Sequence, residues 1–204
     1  MHRSVFAESS LHPRARRPLA AALVSLGLAA AGCSSPPLPA FDLTAPREAL
    51  RGGVRGQLVV VEPVGIQPFE SERIVAKDPA GTISYLGGAQ WADRLPRLVQ
   101  AKIIQTFENS SRIRAVGRPG DGTTPTAQLT TEIRSFQLDA GAGEVEVEIS
   151  AKLIAIGSGR IETARIFRAR VPVGSANGPE VAQALDRALS TVLVDLVRWT
   201  GTGR

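Results

Sequence analysis

A single cysteine, Cys33, stands in 204 residues, and both histidines, His2 and His12, precede it. Thiolate and imidazole supply most nucleophilic and metal-binding chemistry near neutral pH. From residue 34 onward neither is present, so Ser-His and Cys-His catalysis and the usual zinc and haem sites are excluded by inventory. Glu144, Glu146 and Glu148 remain, but they alternate along one stretch, the spacing of a solvated strand face and not of an acid and base pair. Lys77, Lys102 and Lys152 have no evident partner for Ser-Lys chemistry. The glycines of 117–122 lack the Lys-Ser/Thr signature and the following helix of a phosphate loop. The chain therefore reads as a non-enzyme that calls for no cofactor and no metal.

The chemistry left is that of Cys33 itself, and its setting defines it. A basic head with Arg3, Arg14, Arg16 and Arg17 precedes an uncharged run of 13 residues, 19–31, and small residues close on Gly32 and Cys33, the layout of a secretory signal. The run is shorter than the roughly 17 to 25 residues a membrane-spanning helix needs, so a retained anchor helix is the poorer reading. Ala30-Ala31-Gly32-Cys33 resembles the bacterial lipobox, with Ala30 where leucine is usual. That resemblance implies cleavage before Cys33 and acylation of the new terminus, against the alternative of an ordinary cleaved signal that leaves a free thiol. The expected organisation is a signal peptide at 1–32, a lipidated cysteine with a Pro-rich tether at 33–40, and one domain at 41–201. Loss of the leader removes four Arg and one Glu from 24 basic and 19 acidic residues, which leaves 20 and 18, a net charge of +2. So small a charge, without a basic cluster, argues against nucleic-acid binding.

The elements that hold the domain together follow from periodicity. The tether at 34–40 carries Pro36, Pro37 and Pro39 and favours an extended conformation, and Phe41 and Leu43 alternate with Asp42 and Thr44 as a short strand. The apolar run 57–62 suits a strand buried on both sides, and 73–77 with 82–86 reads as a hairpin around Asp78-Pro79-Ala80-Gly81. A helix is expected over 93–109, with Asp93 as N-cap, Pro96 in its first turn, and Leu95, Leu98, Val99, Ile103 and Phe107 as its buried stripe. A short strand at 113–116 and a polar loop at 117–126 follow.

In 144–153, Val145, Val147, Ile149, Ala151 and Leu153 alternate with polar residues, which predicts an antiparallel strand dry on one face. The preceding strand, 127–138, changes parity and calls for a bulge near Ser135. Matching dry faces with the following strand, 161–173, places Glu148 opposite Arg170 and Ile149 opposite Ala169, with Arg165 facing inward near Leu153 at the sheet end. A last helix, 179–200, is capped by Asn177 or Gly178 and carries Val181, Leu185, Leu189, Val192, Leu196 and Trp199 as its stripe. The fold class is α+β: an antiparallel-rich sheet with two main helices packed on one face.

Tyr85-Leu86, then Trp91-Ala92-Asp93-Arg94-Leu95-Pro96-Arg97-Leu98, preceded by Glu72-Arg73-Ile74, form the most specific stretch. With the lipobox, Phe41-Asp42-Leu43, V-V-V-E-P at 59–63, the alternating strands and the helix ending in Trp199, the chain resembles over 33–200 the auxiliary lipoproteins of Mce-type ABC transporters. Phe41 stands where a tyrosine is common. The resemblance implies a lipoprotein on the periplasmic face of the outer membrane, where Ser34 after the cysteine also points. Its implied partners are an ABC ATPase, a permease and an Mce-domain subunit, which move phospholipid or other hydrophobic molecules. Other readings are a lipoprotein that carries the lipid itself, and an envelope assembly factor without a transport role. Arg73, Tyr85, Trp91, Arg94 and Arg97 have two readings: they lock the strand-to-helix junction, with Trp91 covering the helix base, or they face a partner, since Arg and aromatics are enriched at interface hot spots. The wet face with Glu144, Glu146, Glu148, Arg168 and Arg170 could meet a second copy, giving a homo-oligomer, or an Mce subunit.

Overall fold

The computed structural model describes residues 37–47, 56–110 and 115–201. The leader, Cys33, the first tether residues, residue 113 and the last three residues lie outside them. The described elements are β1 (Ala40–Phe41), β2 (Leu58–Val60), β3 (Val64–Gly65), a 3-10 turn at Gln67–Phe69, β4 (Arg73–Lys77), β5 (Ile83–Trp91), α1 (Leu95–Asn109), β6 (Val116–Gly117), β7 (Ala127–Asp139), β8 (Glu144–Ala155), β9 (Ile161–Pro172) and α2 (Gly178–Thr200).

The nine strands form one sheet organised on β7. On one flank β7 pairs with β8, and β8 with β9, both antiparallel. On the other flank three short strands follow one another along β7, all parallel to it: β2 beside its start, β3 beside its middle and β4 beside its end. Outside these lie β6 against β2, β5 antiparallel to β4, and β1 parallel to β5. Five of these eight pairings are parallel, so the sheet is mixed and not the antiparallel-rich one expected. Alternation in 144–153 reports which face of one strand is dry. It says nothing about two- and three-residue strands, too short to carry a period, whose direction is set by the crossover through α1.

Both helices pack on the sheet and touch each other, so they share a face. Val145, Val147, Ile149 and Ala151 on β8 are fully buried, as are Val99, Ile103 and Phe107 on α1 and Val181, Leu185, Leu189 and Leu196 on α2. The expected stripes are thus the core. Asn177 caps α2, its Oδ1 accepting the Glu180 N–H at 2.9 Å. The start of α1 differs from expectation: Arg94 takes the N-cap position without a side-chain cap, and Asp93 Oδ1 accepts the Arg94 N–H at 2.7 Å instead. The donor of Leu95, the first helical residue, is met by the Ser71 carbonyl (3.1 Å), so no side-chain cap is needed there.

The bulge in β7 lies between Ile133 and Ser135. The β8–β9 register is shifted by two residues from the expected one, pairing Glu148 with Arg168, Glu146 with Arg170 and Ile149 with Phe167. The turn decides it. Gly159, at φ +67, donates to the Ala155 carbonyl, Ala155 donates to Arg160, and the register breaks near Glu162. A two-residue slip preserves the dry face, which is why face matching alone could not detect it. The observed frame opposes two Glu–Arg pairs where the expected one opposes a single pair. Arg165 is correspondingly exposed, opposite Ala151, with its guanidinium 5.2 Å from the Phe167 ring.

Candidate functional site

The five singled-out residues divide among three environments. Trp91, at the end of β5, is 1 % exposed, meets Phe136 edge-on at 5.7 Å, and donates its backbone N–H to the Glu72 carbonyl at 2.7 Å. It belongs to the core under the junction into α1. Tyr85 is exposed on β5, and the Arg73 guanidinium lies 4.5 Å from its ring centre, a cation–π contact across the β4–β5 pair. Arg94 and Arg97 lie at the start of α1. Arg94 Nη2 meets Glu70 Oε2 at 2.6 Å, its Nε donates to the Glu70 carbonyl at 3.3 Å, and Nη1 lies 3.5 Å from Glu62. Glu70 also accepts the Gly65 N–H at 3.1 Å, so one carboxylate and one guanidinium tie β3, the 3-10 turn and α1 together. Among the described residues Arg97 pairs with Asp93, at 3.5 Å one turn back, and its side chain is 63 % exposed.

Beside this junction Val61, Leu98 and Ala101 floor an open groove of about 620 Å³, rimmed by Glu62, Asp93, Arg97 and Arg118. Gln100, buried on α1, braces it by donating to the Val60 carbonyl at 3.0 Å, while its Oε1 accepts from Arg118 at 3.4 Å. Apolar floor and mixed-charge rim suit a protein surface more than a reacting centre. The partners of Arg94 and Gln100 were not foreseeable from sequence, since they lie 24 and 40 residues away and nothing local marks them.

A second set of contacts fixes the chain where it leaves the tether. Lys102, nearly buried, reaches Asp42 Oδ2 at 2.8 Å, the Thr44 N–H donates to Asp186 Oδ1 at 2.6 Å, and Asn109 donates to the Pro46 carbonyl at 3.0 Å. Residues 42–46 are thereby strapped to both helices.

The wet face of β8 is more than solvated charge. Glu148 is 7 % exposed and gripped by Arg168 and Arg134, and Arg170 spans Glu146 (2.8 Å) and Glu144 (3.4 Å). The Glu146 carboxylate, hydrogen-bonded to it, holds the Arg170 guanidinium still more firmly protonated. Among the described residues no group of three His, Cys, Asp or Glu is placed to hold a metal ion, and no helix is long and apolar enough to cross a membrane.

A mixed sheet with both helices on one face, a charge-paired outer face and an N-terminal strap define the described domain. Residues 41–197 match the sequence profile of the ABC-type transport auxiliary lipoprotein component, and the chain belongs to that family. The family is one of transport-auxiliary lipoproteins and not of enzymes, which points to a membrane-associated place in the envelope. The solved structure of protein XCC0632 from Xanthomonas campestris is similar at a TM-score of 0.71 and 26 % identity, covering 80 % of this chain and 93 % of that one. Another uncharacterized protein shares the fold at a TM-score of 0.61 and 12 % identity, over 79 % of this chain and 97 % of that one. An uncharacterized protein of Bradyrhizobium diazoefficiens, bll6063, is 27 % identical over 144 residues, which are 70 % of this chain but 39 % of that protein's length.

Proposed function

We propose that the chain is the outer-membrane auxiliary lipoprotein of an Mce-type ABC transporter. In this reading acylated Cys33 holds the domain at the periplasmic face, and the α1 junction with Arg94, Arg97 and the neighbouring groove docks the Mce-domain subunit. That subunit works with an ATPase and a permease to move phospholipid or another hydrophobic molecule. The observation that carries docking over lipid carriage is the filled core: the dry side of β7 and β8 is covered by two helices whose stripes are buried to within a few per cent. A carrier needs an apolar cavity of roughly 300 to 1,000 Å³, whereas the 620 Å³ groove is open and rimmed by charge. The strap at 42–46 supports the reading mechanically, because the five peptide steps from Cys33 to Leu38 extend no more than about 18 Å and so keep a rigid domain close to its anchor.

The test is Arg94→Ala with Arg97→Ala in the acylated protein, read by partner capture and by melting temperature. Partner loss with Arg97→Ala at an unchanged Tm is expected, since Arg97 makes a single exposed ion pair worth about 0.3 to 0.5 kcal/mol. Retained capture in both variants would reject the junction as the docking face. Stoichiometric phospholipid extracted from a domain that ignores the transporter would favour the carrier.

A further inference from the structure

We infer that β9 is the docking strand for a second copy of this chain, paired antiparallel about a twofold axis at Ile166. β9 has twelve residues, pairs only with β8 among the described strands, and lies at the sheet edge. An edge strand presents a row of unmet N–H and C=O groups, which natural proteins shorten, cover or pair. The phase of that row is known. The Val173 N–H donates inward to Gly143 at 3.0 Å, so by antiparallel alternation 171, 169, 167 and 165 also bond to β8, and 170, 168, 166 and 164 point their backbone groups outward. Pro172, with no N–H to offer, falls in the outward set.

Length selects the partner. At the opposite edge β1 and β6 have two residues each, and β5 is free of β1 only before Gln90, so no strand there matches β9. A head-to-tail contact with the seven free residues of β5, 83–89, would leave five of the twelve β9 residues unpaired, whereas a second β9 pairs the strand more fully.

Side chains select the frame. With Ile166 opposite its symmetry mate, two exposed isoleucines meet on the axis, and exposed Ile161 meets Val171. Glu162, which makes no ion pair among the described residues, comes opposite Arg170 at both ends. Phe167 faces Arg165 of the other copy, the kind of contact these two residues already make within one chain. A slip of two residues one way sets Arg165 against Arg165, and the other way loses both Glu162–Arg170 pairs. The axis is normal to the sheet, so the sheet runs on across both copies with all four helices on one side.

Ile166→Cys in the full-length chain, oxidised mildly in intact envelopes, tests this directly. Directly opposed hydrogen-bonded positions have Cα atoms about 5.5 Å apart, within the roughly 4.4 to 6.8 Å a disulfide spans. Mass spectrometry of the linked peptides should join 166 to 166, which separates this link from any formed by an unacylated Cys33. Ala164→Cys and Arg168→Cys should each link poorly alone and link to one another when co-expressed. Glu162→Arg, at an exposed unpaired site, should cut the 166–166 yield several-fold at unchanged Tm. Absence of the 166–166 peptide from folded protein, equal linking at all three positions, or linkage of the Ile166→Cys thiol to a different protein would overturn the proposal.

Discussion

At the scale of single residues, burial separates side chains of similar appearance in the sequence. Trp91 and Tyr85 lie six positions apart on one strand, yet Trp91 is 1 % exposed and Tyr85 40 %. Trp91→Ala empties a core site against Phe136 and should cost about 3 to 5 kcal/mol, seen as a large fall in Tm by circular dichroism. Tyr85→Ala, at a site 40 % exposed beside Arg73, should lower Tm far less. Glu180 offers a titration at the start of α2. The Ser175 hydroxyl donates to it at 2.6 Å and the Gly174 N–H at 2.6 Å, and these bonds hold its carboxyl below the ordinary range. A folded-state pKa below the unfolded one gives stability that is present above the unfolded value, about 4.3, and lost as pH falls through the folded one. Tm should therefore drop on acidification below about pH 4.3, and the drop should be shallower in Glu180→Gln. Asp78, held low chiefly by the Thr82 N–H, acts in the same sense.

At the scale of elements, the seating of α2 on β5 rests on one glycine. A Cβ at Gly178 would meet the Gly87 carbonyl oxygen at 2.7 Å and the Ala89 Cβ at 2.8 Å. Neither is the flexible end of a long side chain, so Gly178→Ala must push the helix off the sheet and should destabilise by about 1 to 3 kcal/mol in chemical denaturation. The strand it meets bulges there. Arg73 pairs with Gln90 but Val75 with Tyr85, so three extra β5 residues are accommodated, helped by Gly88 at φ +79. This irregularity was hidden in the sequence, where 83–91 shows no strict alternation, whereas the β7 bulge was legible because Phe136 and Leu138 break a clear parity.

At the scale of the whole molecule, the proposed anchor and the domain are tested separately. Cys33→Ser should leave an unprocessed precursor that takes up no labelled palmitate; two or three acyl chains on Cys33, at about 0.8 kcal/mol per buried methylene, would anchor the protein stably where one short chain would not. Normal labelling of that variant would reject the lipobox reading. Removing one strap contact through Asp42→Ala should not alter acylation. It should loosen residues 42–46, because Lys102, 8 % exposed, would lose its carboxylate.

Wherever a signal repeats along the chain, the sequence by itself determined the outcome. The helix stripes ending at Phe107 and Trp199 and the dry residues of β8 are each written in neighbours three, four or two positions apart, whereas the cap of α2 was narrowed to Asn177 or Gly178 and the structure chose Asn177. Residues 33–200 also carried the resemblance to the family. Tertiary structure alone decided the parallel course of β2, β3 and β4, the β8–β9 register, the burial of Glu148 between two arginines and the bracing of Arg94 by Glu70. These depend on partners tens of residues away or on a slip of two that leaves every face unchanged. A local pattern has no way to encode such a choice, and only the closing of turns and the pairing of charges in three dimensions resolves it.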